Sequence, residues 1–109
     1  MITISNTTRL FLFDEPVSMH KSFEGLASIV EAAFPGQLMI GFFIFINRSR
    51  DRMKVLYWDG DGFAIWYKRL EKGSFMRRSG AKTHLHRRDF LMLLEGVTPK
   101  KIQPRFSVN

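Results

Sequence analysis

The chain has no cysteine, which excludes a disulfide framework and any thiolate chemistry and fits a reducing compartment. It also has no apolar run approaching the ~20 residues needed to cross a bilayer. Its first residues lack the basic region, apolar stretch and small-residue cleavage site of a signal peptide. The expected location is therefore the cytoplasm, with no membrane partner. Acidic side chains are scarce beside basic ones: 10 Asp and Glu against 17 Lys and Arg give a formal net charge of +7. Such an excess attracts polyanions, and each phosphate it neutralises releases counterions, so binding to nucleic acid would weaken with salt.

What is present points to a folded domain. The 109 residues suffice for one domain with its own core, and 11 of them are Phe, so that core is expected to rest on rings. A short apolar strand is expected over residues 9–13 (RLFLF). Ser18 can cap a helix to about residue 34, because Met19, Phe23, Leu26, Ile29, Val30 and Ala33 recur near a 3.6-residue period. Pro35-Gly36 ends it. Residues 42–46 (FFIFI) read as a central strand covered on both faces. Strands over 53–58 and 63–67 flank Asp59-Gly60-Asp61-Gly62, which offers the positive-φ positions of a tight hairpin.

Residues 47–52 are polar and turn the chain between strands. A basic segment over 75–87 has no clear period, residues 88–94 (RDFLMLL) read as a short helix, and Gly96 can close it. The tail from about residue 97 is expected to be loosely ordered. The order β-α-β-β-β-α predicts an α+β fold: a small antiparallel sheet with one main helix on a face and a short C-terminal helix. The whole chain, 1–109, reads as a single domain.

The most informative stretch interleaves cations with rings. Arg48, Arg50, Arg52 and Lys54 fall at every second position, followed by Trp58 and then by Trp66-Tyr67-Lys68-Arg69 and Lys72. In an extended chain the first four would project from one face and could follow a phosphate backbone. In a turn they would splay into solvent, with Asp51 offsetting one of them. Trp66 and Tyr67 are adjacent and so face opposite ways: one belongs to the core, and the other is available to stack on bases. Trp58 is expected in the core.

Catalytic and metal-binding readings are weaker. Asp59 and Asp61 could hold Mg²⁺, yet the glycines between and after them explain them as turn formers. His84 and His86, with His20 remote, complete no recognised ligand spacing. Ser49, Ser74 and Ser79 lie in no nucleophile-elbow context. No metal, cofactor or catalytic residue is expected.

Four blocks carry a resemblance: Met19-His20-Lys21-Ser22-Phe23-Glu24-Gly25-Leu26, Gly41-Phe42-Phe43-Ile44-Phe45-Ile46-Asn47-Arg48, the run from Lys54 through Trp58-Asp59-Gly60-Asp61-Gly62 to Phe63, and Lys68-Arg69-Leu70-Glu71-Lys72-Gly73-Ser74-Phe75. Together, over about residues 9–96, they resemble the TnpB accessory proteins of insertion sequence family 66, also called second-open-reading-frame-like proteins. The sequence departs from that pattern at Ser18-Met19-His20, where the family usually has Asp-Met-Arg. It departs again at Met76-Arg77-Arg78, where this chain is more basic. The resemblance implies a bacterial mobile-element protein, encoded beside a separate transposase and needed for efficient transposition, with no established catalytic residues.

Charge pattern and resemblance together give the expected function: a non-enzymatic, DNA-binding accessory factor acting with the transposase on element ends. Arg48, Arg50, Arg52, Lys54, Lys68, Arg69 and Lys72 would contact phosphates, with Trp66 or Tyr67 stacking or packing alongside. The rival expectation is a module that binds the transposase without touching DNA. The sequence sets no oligomeric state.

Overall fold

The computed structural model describes residues 7–75 and 83–94. Five strands and two helices follow in the order β1 (Arg9–Leu12), α1 (Phe23–Ala33), β2 (Gly41–Ile46), β3 (Arg52–Trp58), β4 (Phe63–Arg69), β5 (Thr83–Leu85) and α2 (Arg87–Leu94). The strands form one sheet in the order β4-β3-β2-β1-β5. The α+β class is as expected. The sheet is antiparallel except between β1 and β2, which run parallel. The cause is the long connection through α1: a helical crossover returns the chain to the end from which it started, whereas a hairpin reverses it.

β2 lies at the centre of the sheet, and its Phe43, Ile44, Phe45 and Ile46 are all buried, as its unbroken apolar run predicts. Side chains alternate along a strand, so the sheet sorts its apolar residues into two layers. On one face Phe43, Phe45 and Leu56 pack with Leu26, Val30 and Phe34 of the first helical segment, with Phe11 and Phe13 alongside. On the other, Leu10, Leu12, Ile44, Ile46, Met53 and Val55 pack with Phe75, Leu85, Phe90 and Leu93. α1 and α2 therefore cover opposite faces. The α1 layer is a run of rings: Phe11 stacks on Phe43 at 5.4 Å, and Phe34 sits 5.0 Å from Phe11. Gly41 lies under these rings. A Cβ there would come within 2.8 Å of Phe43 Cζ and 2.9 Å of Phe11 Cε2.

Three sequence expectations need correction. The first helix begins at Phe23, not beside Ser18. Residues 18–21 form a turn instead, in which the Lys21 N–H donates to the Ser18 carbonyl at 3.2 Å. Second, a strand inside the basic segment, β5, was not legible. Third, Phe75, placed at the start of a loose segment, is fully buried. In the β3–β4 loop only Gly60 has a positive φ, at 87°; Gly62 does not. The expectation for the tail from about residue 97 lies outside the described residues. No helix among the described residues is long and apolar enough to cross a membrane.

Candidate nucleic-acid interface

Asn47 organises the β2–β3 turn. Its Oδ1 accepts from the backbone N–H groups of Asp51 (3.1 Å) and Arg52 (3.0 Å), and its Nδ2 donates to Asp51 Oδ1 at 2.8 Å. An asparagine that bonds the backbone a few residues on is a turn-forming device. The Asn47 hydrogen bond is also the main reason the Asp51 carboxyl is held below its ordinary value of 3.8. Burial opposes that shift, while a backbone N–H, Ser49 and the Arg52 charge reinforce it. Inside this turn Arg50 takes a left-handed conformation, φ 60°, one that a residue with a Cβ adopts at a cost.

The chain leaving β4 closes onto the same turn. The Leu70 N–H donates to the Asp51 carbonyl at 2.7 Å and the Phe75 N–H to the Arg50 carbonyl at 2.6 Å. With Phe75 buried in the α2-side layer, the two segments are pinned together at one corner of the sheet. Arg48 and Arg50 come from the turn, Arg52 from the start of β3, and Lys68, Arg69 and Lys72 from the end of β4 and just beyond it. Asp51 and Glu71 lie among them, so cations outnumber carboxylates there by four, against a net +7 for the chain. Arg52 and Arg69 are direct cross-strand partners. Like charges in that relation repel. Glu71 relieves Arg69 with a 3.1 Å ion pair, whereas the Arg52 guanidinium has no hydrogen-bond partner among the described residues.

Of the two arrangements open to the four cations, a single row on an extended chain does not form. Arg48 and Arg50 belong to the turn, where strand alternation no longer applies. Lys54 leaves the set for a different reason: it is 9% exposed, and its Nζ donates to the carbonyls of Met19 and Lys21, each at 2.8 Å. Two of its three donors are committed inside the protein, so the expected phosphate contact at Lys54 is corrected to a structural role. β4 splits the remaining residues by face. Trp66 is opposite Val55 and packs against the α2-side layer, with Lys68 two residues further along that face. Tyr67 and Arg69 take the α1 side. Of the adjacent rings, Tyr67 is the exposed one, at 49%, and Lys54 Nζ stands over it, 5.0 Å from the ring centroid. Trp58 is half-buried, edge-on to Phe63 at 5.0 Å, and joins neither core layer. Asp59 and Asp61 are exposed in the β3–β4 loop, where the Asp59 N–H donates to the Gly62 carbonyl at 2.8 Å.

Sequence reasoning missed the clamp at Lys54 and the return of Phe75 onto the Arg50 carbonyl. A lysine at an inward strand position between Met53 and Val55 was the available signal for the first. The burial of Phe75 had no comparable signal.

Comparison with known proteins agrees with the sequence blocks. The family model described as IS66 Orf2 like protein matches residues 8–104. An uncharacterised protein of Sinorhizobium fredii (strain NBRC 101917 / NGR234), y4jC, is 31% identical over 101 residues, covering 89% of this chain and 86% of its own length. No solved structure matches.

Proposed function

We propose, for a chain that belongs to the family of IS66 Orf2-like proteins, that its accessory role in transposition is non-enzymatic and is exercised by binding DNA together with the transposase. The contacts would come from Arg48, Arg50, Arg52, Arg69 and Lys72, with Lys68 approaching from the other face. The observation that carries this reading is the tethering of the β2–β3 turn to the chain leaving β4. It concentrates like charge at one corner and brings Arg52 opposite Arg69. Repelling cations held by a rigid backbone are relieved when a polyanion reaches them, and phosphate contacts of this kind position a protein without reading sequence. Target choice would then rest with the transposase or with DNA shape.

The transposase is the second partner in this reading. Met39 and Ile40, exposed side by side in the loop before β2, supply apolar surface that a protein could cover. A mobility-shift titration of element-end DNA across salt tests the DNA contact: a shift at low salt that fades as salt rises supports it, and no shift at low salt removes it. If the chain instead docks on the transposase without touching DNA, the two co-purify after nuclease treatment and the chain alone shifts nothing.

A further inference from the structure

We infer that the exposed ring of Tyr67 is a stacking platform for an unpaired base, so that the DNA taken at the basic corner is single-stranded or locally opened. This inference rests on the DNA-binding reading above and adds the form of nucleic acid to it.

Lys54 supports the ring. Lys54 is the direct cross-strand partner of Tyr67, and its Nζ lies 5.0 Å from the ring centroid, within the range of a cation–π contact. Lys54 is itself fixed by the carbonyls of Met19 and Lys21, so the ring rests on a support tied to the segment before α1. Among the described residues no strand lies beyond Tyr67, because β4 ends the sheet on that side, and about half of the residue, 49%, faces solvent. The α1-side residues before it on the strand, Phe63 and Ile65, pack against the core layer. Tyr67 is therefore the position at which this face of β4 turns from core to surface.

Its surroundings suit a nucleotide. Arg69 lies two residues along the same face, and Arg52 is diagonal to Tyr67 across the β3–β4 ladder. A half-exposed ring with guanidinium groups at one end combines a surface for a base with charges for its phosphates, the pairing by which single strands are held. Paired bases inside a duplex have both faces covered by their neighbours, so an open aromatic face selects for a base that has left the stack. Because Lys54 already orders the ring, little conformational freedom is lost on binding.

The test measures fluorescence anisotropy of a labelled oligothymidylate and of the matching dA·dT duplex with the full chain at one fixed low salt concentration. The wild type should bind the single strand more tightly. Tyr67→Ala and Tyr67→Leu should each weaken single-strand binding about tenfold, the order expected for one stacked base. Both should leave duplex binding within about twofold, since no stacked ring is lost there. Tyr67→Phe should behave as wild type. Tyr67→Leu keeps apolar cover over the Lys54 stem, so an effect of Tyr67→Ala that Tyr67→Leu does not share overturns the inference as a packing defect. Equal binding of both DNAs, unaffected by any Tyr67 variant, overturns it while the basic-corner reading stands. Binding of neither DNA by the wild type overturns that reading, and this one with it.

Discussion

The ammonium of Lys54 donates to the carbonyl of Met19 at 2.8 Å across 35 positions of sequence, and to that of Lys21 at the same distance. In a helix begun at Ser18 those carbonyls would accept from backbone N–H groups four residues on. Lys54 takes them instead, and α1 starts only at Phe23. Lys54→Met should therefore destabilise the fold by about 2–3 kcal/mol, the usual cost of losing hydrogen bonds to a charged group. Amide exchange over residues 19–22 should speed up. The salt dependence of DNA binding should not change, which separates this role from phosphate contact. Urea denaturation with hydrogen exchange measures the first two effects.

Arg50 gives the opposite combination. Its φ of 60° is tolerated by Asn better than by most residues, and its carbonyl, not its side chain, receives the Phe75 N–H. Arg50→Asn should leave thermal stability unchanged or raise it by up to about 1 kcal/mol, while weakening DNA binding. A variant that unfolds at lower temperature would show that the guanidinium has a structural partner.

Gly41 tests the ring layer. With Phe43 Cζ at 2.8 Å and Phe11 Cε2 at 2.9 Å from an added Cβ, Gly41→Ala must push apart rings that already stack on each other. The expected loss is about 1–3 kcal/mol, the range for overpacking a core. A denaturation midpoint equal to wild type would mean that the layer yields freely.

Asp51 links the corner to pH. Asn47 above all, with a backbone N–H, Ser49 and Arg52, favours its carboxylate and holds its pKa below 3.8. A group depressed in the fold stabilises above its unfolded pKa, and that stabilisation is lost as pH falls through the folded value. Stability of the wild type should accordingly decline below about pH 4, the ordinary carboxylate range, with part of the decline due to Asp51. Asp51→Asn should flatten the acid side of a stability–pH curve and leave no slope of its own near neutrality. An unchanged acid slope in the variant would contradict this assignment.

What the sequence made legible is what local pattern controls. Phe42-Phe43-Ile44-Phe45-Ile46 announced a buried central strand because an unbroken apolar run has few other uses. Asp59-Gly60-Asp61-Gly62 marked the loop between β3 and β4 because turn residues act through their own backbone. The helix start was misread because a side chain distant in sequence overrides the signal at Ser18. Lys54 was misassigned for the same reason: its residue type suggests solvent, and only the register against Tyr67 and the loop before α1 shows where its donors go. The split of Trp66 from Tyr67 followed from strand alternation, but which ring faced out depended on the layer formed by α2 and Phe75.

The central claim is that the corner built from the β2–β3 turn and the end of β4 holds a DNA backbone. The most direct measurement is DNA affinity against salt for the wild type and for Arg48→Ala combined with Arg52→Ala. Wild-type log affinity should fall linearly with log salt, and the variant's slope should be shallower by about 0.9 for each arginine that meets a phosphate. Identical slopes for the two proteins, or a wild-type affinity indifferent to salt, would contradict the account.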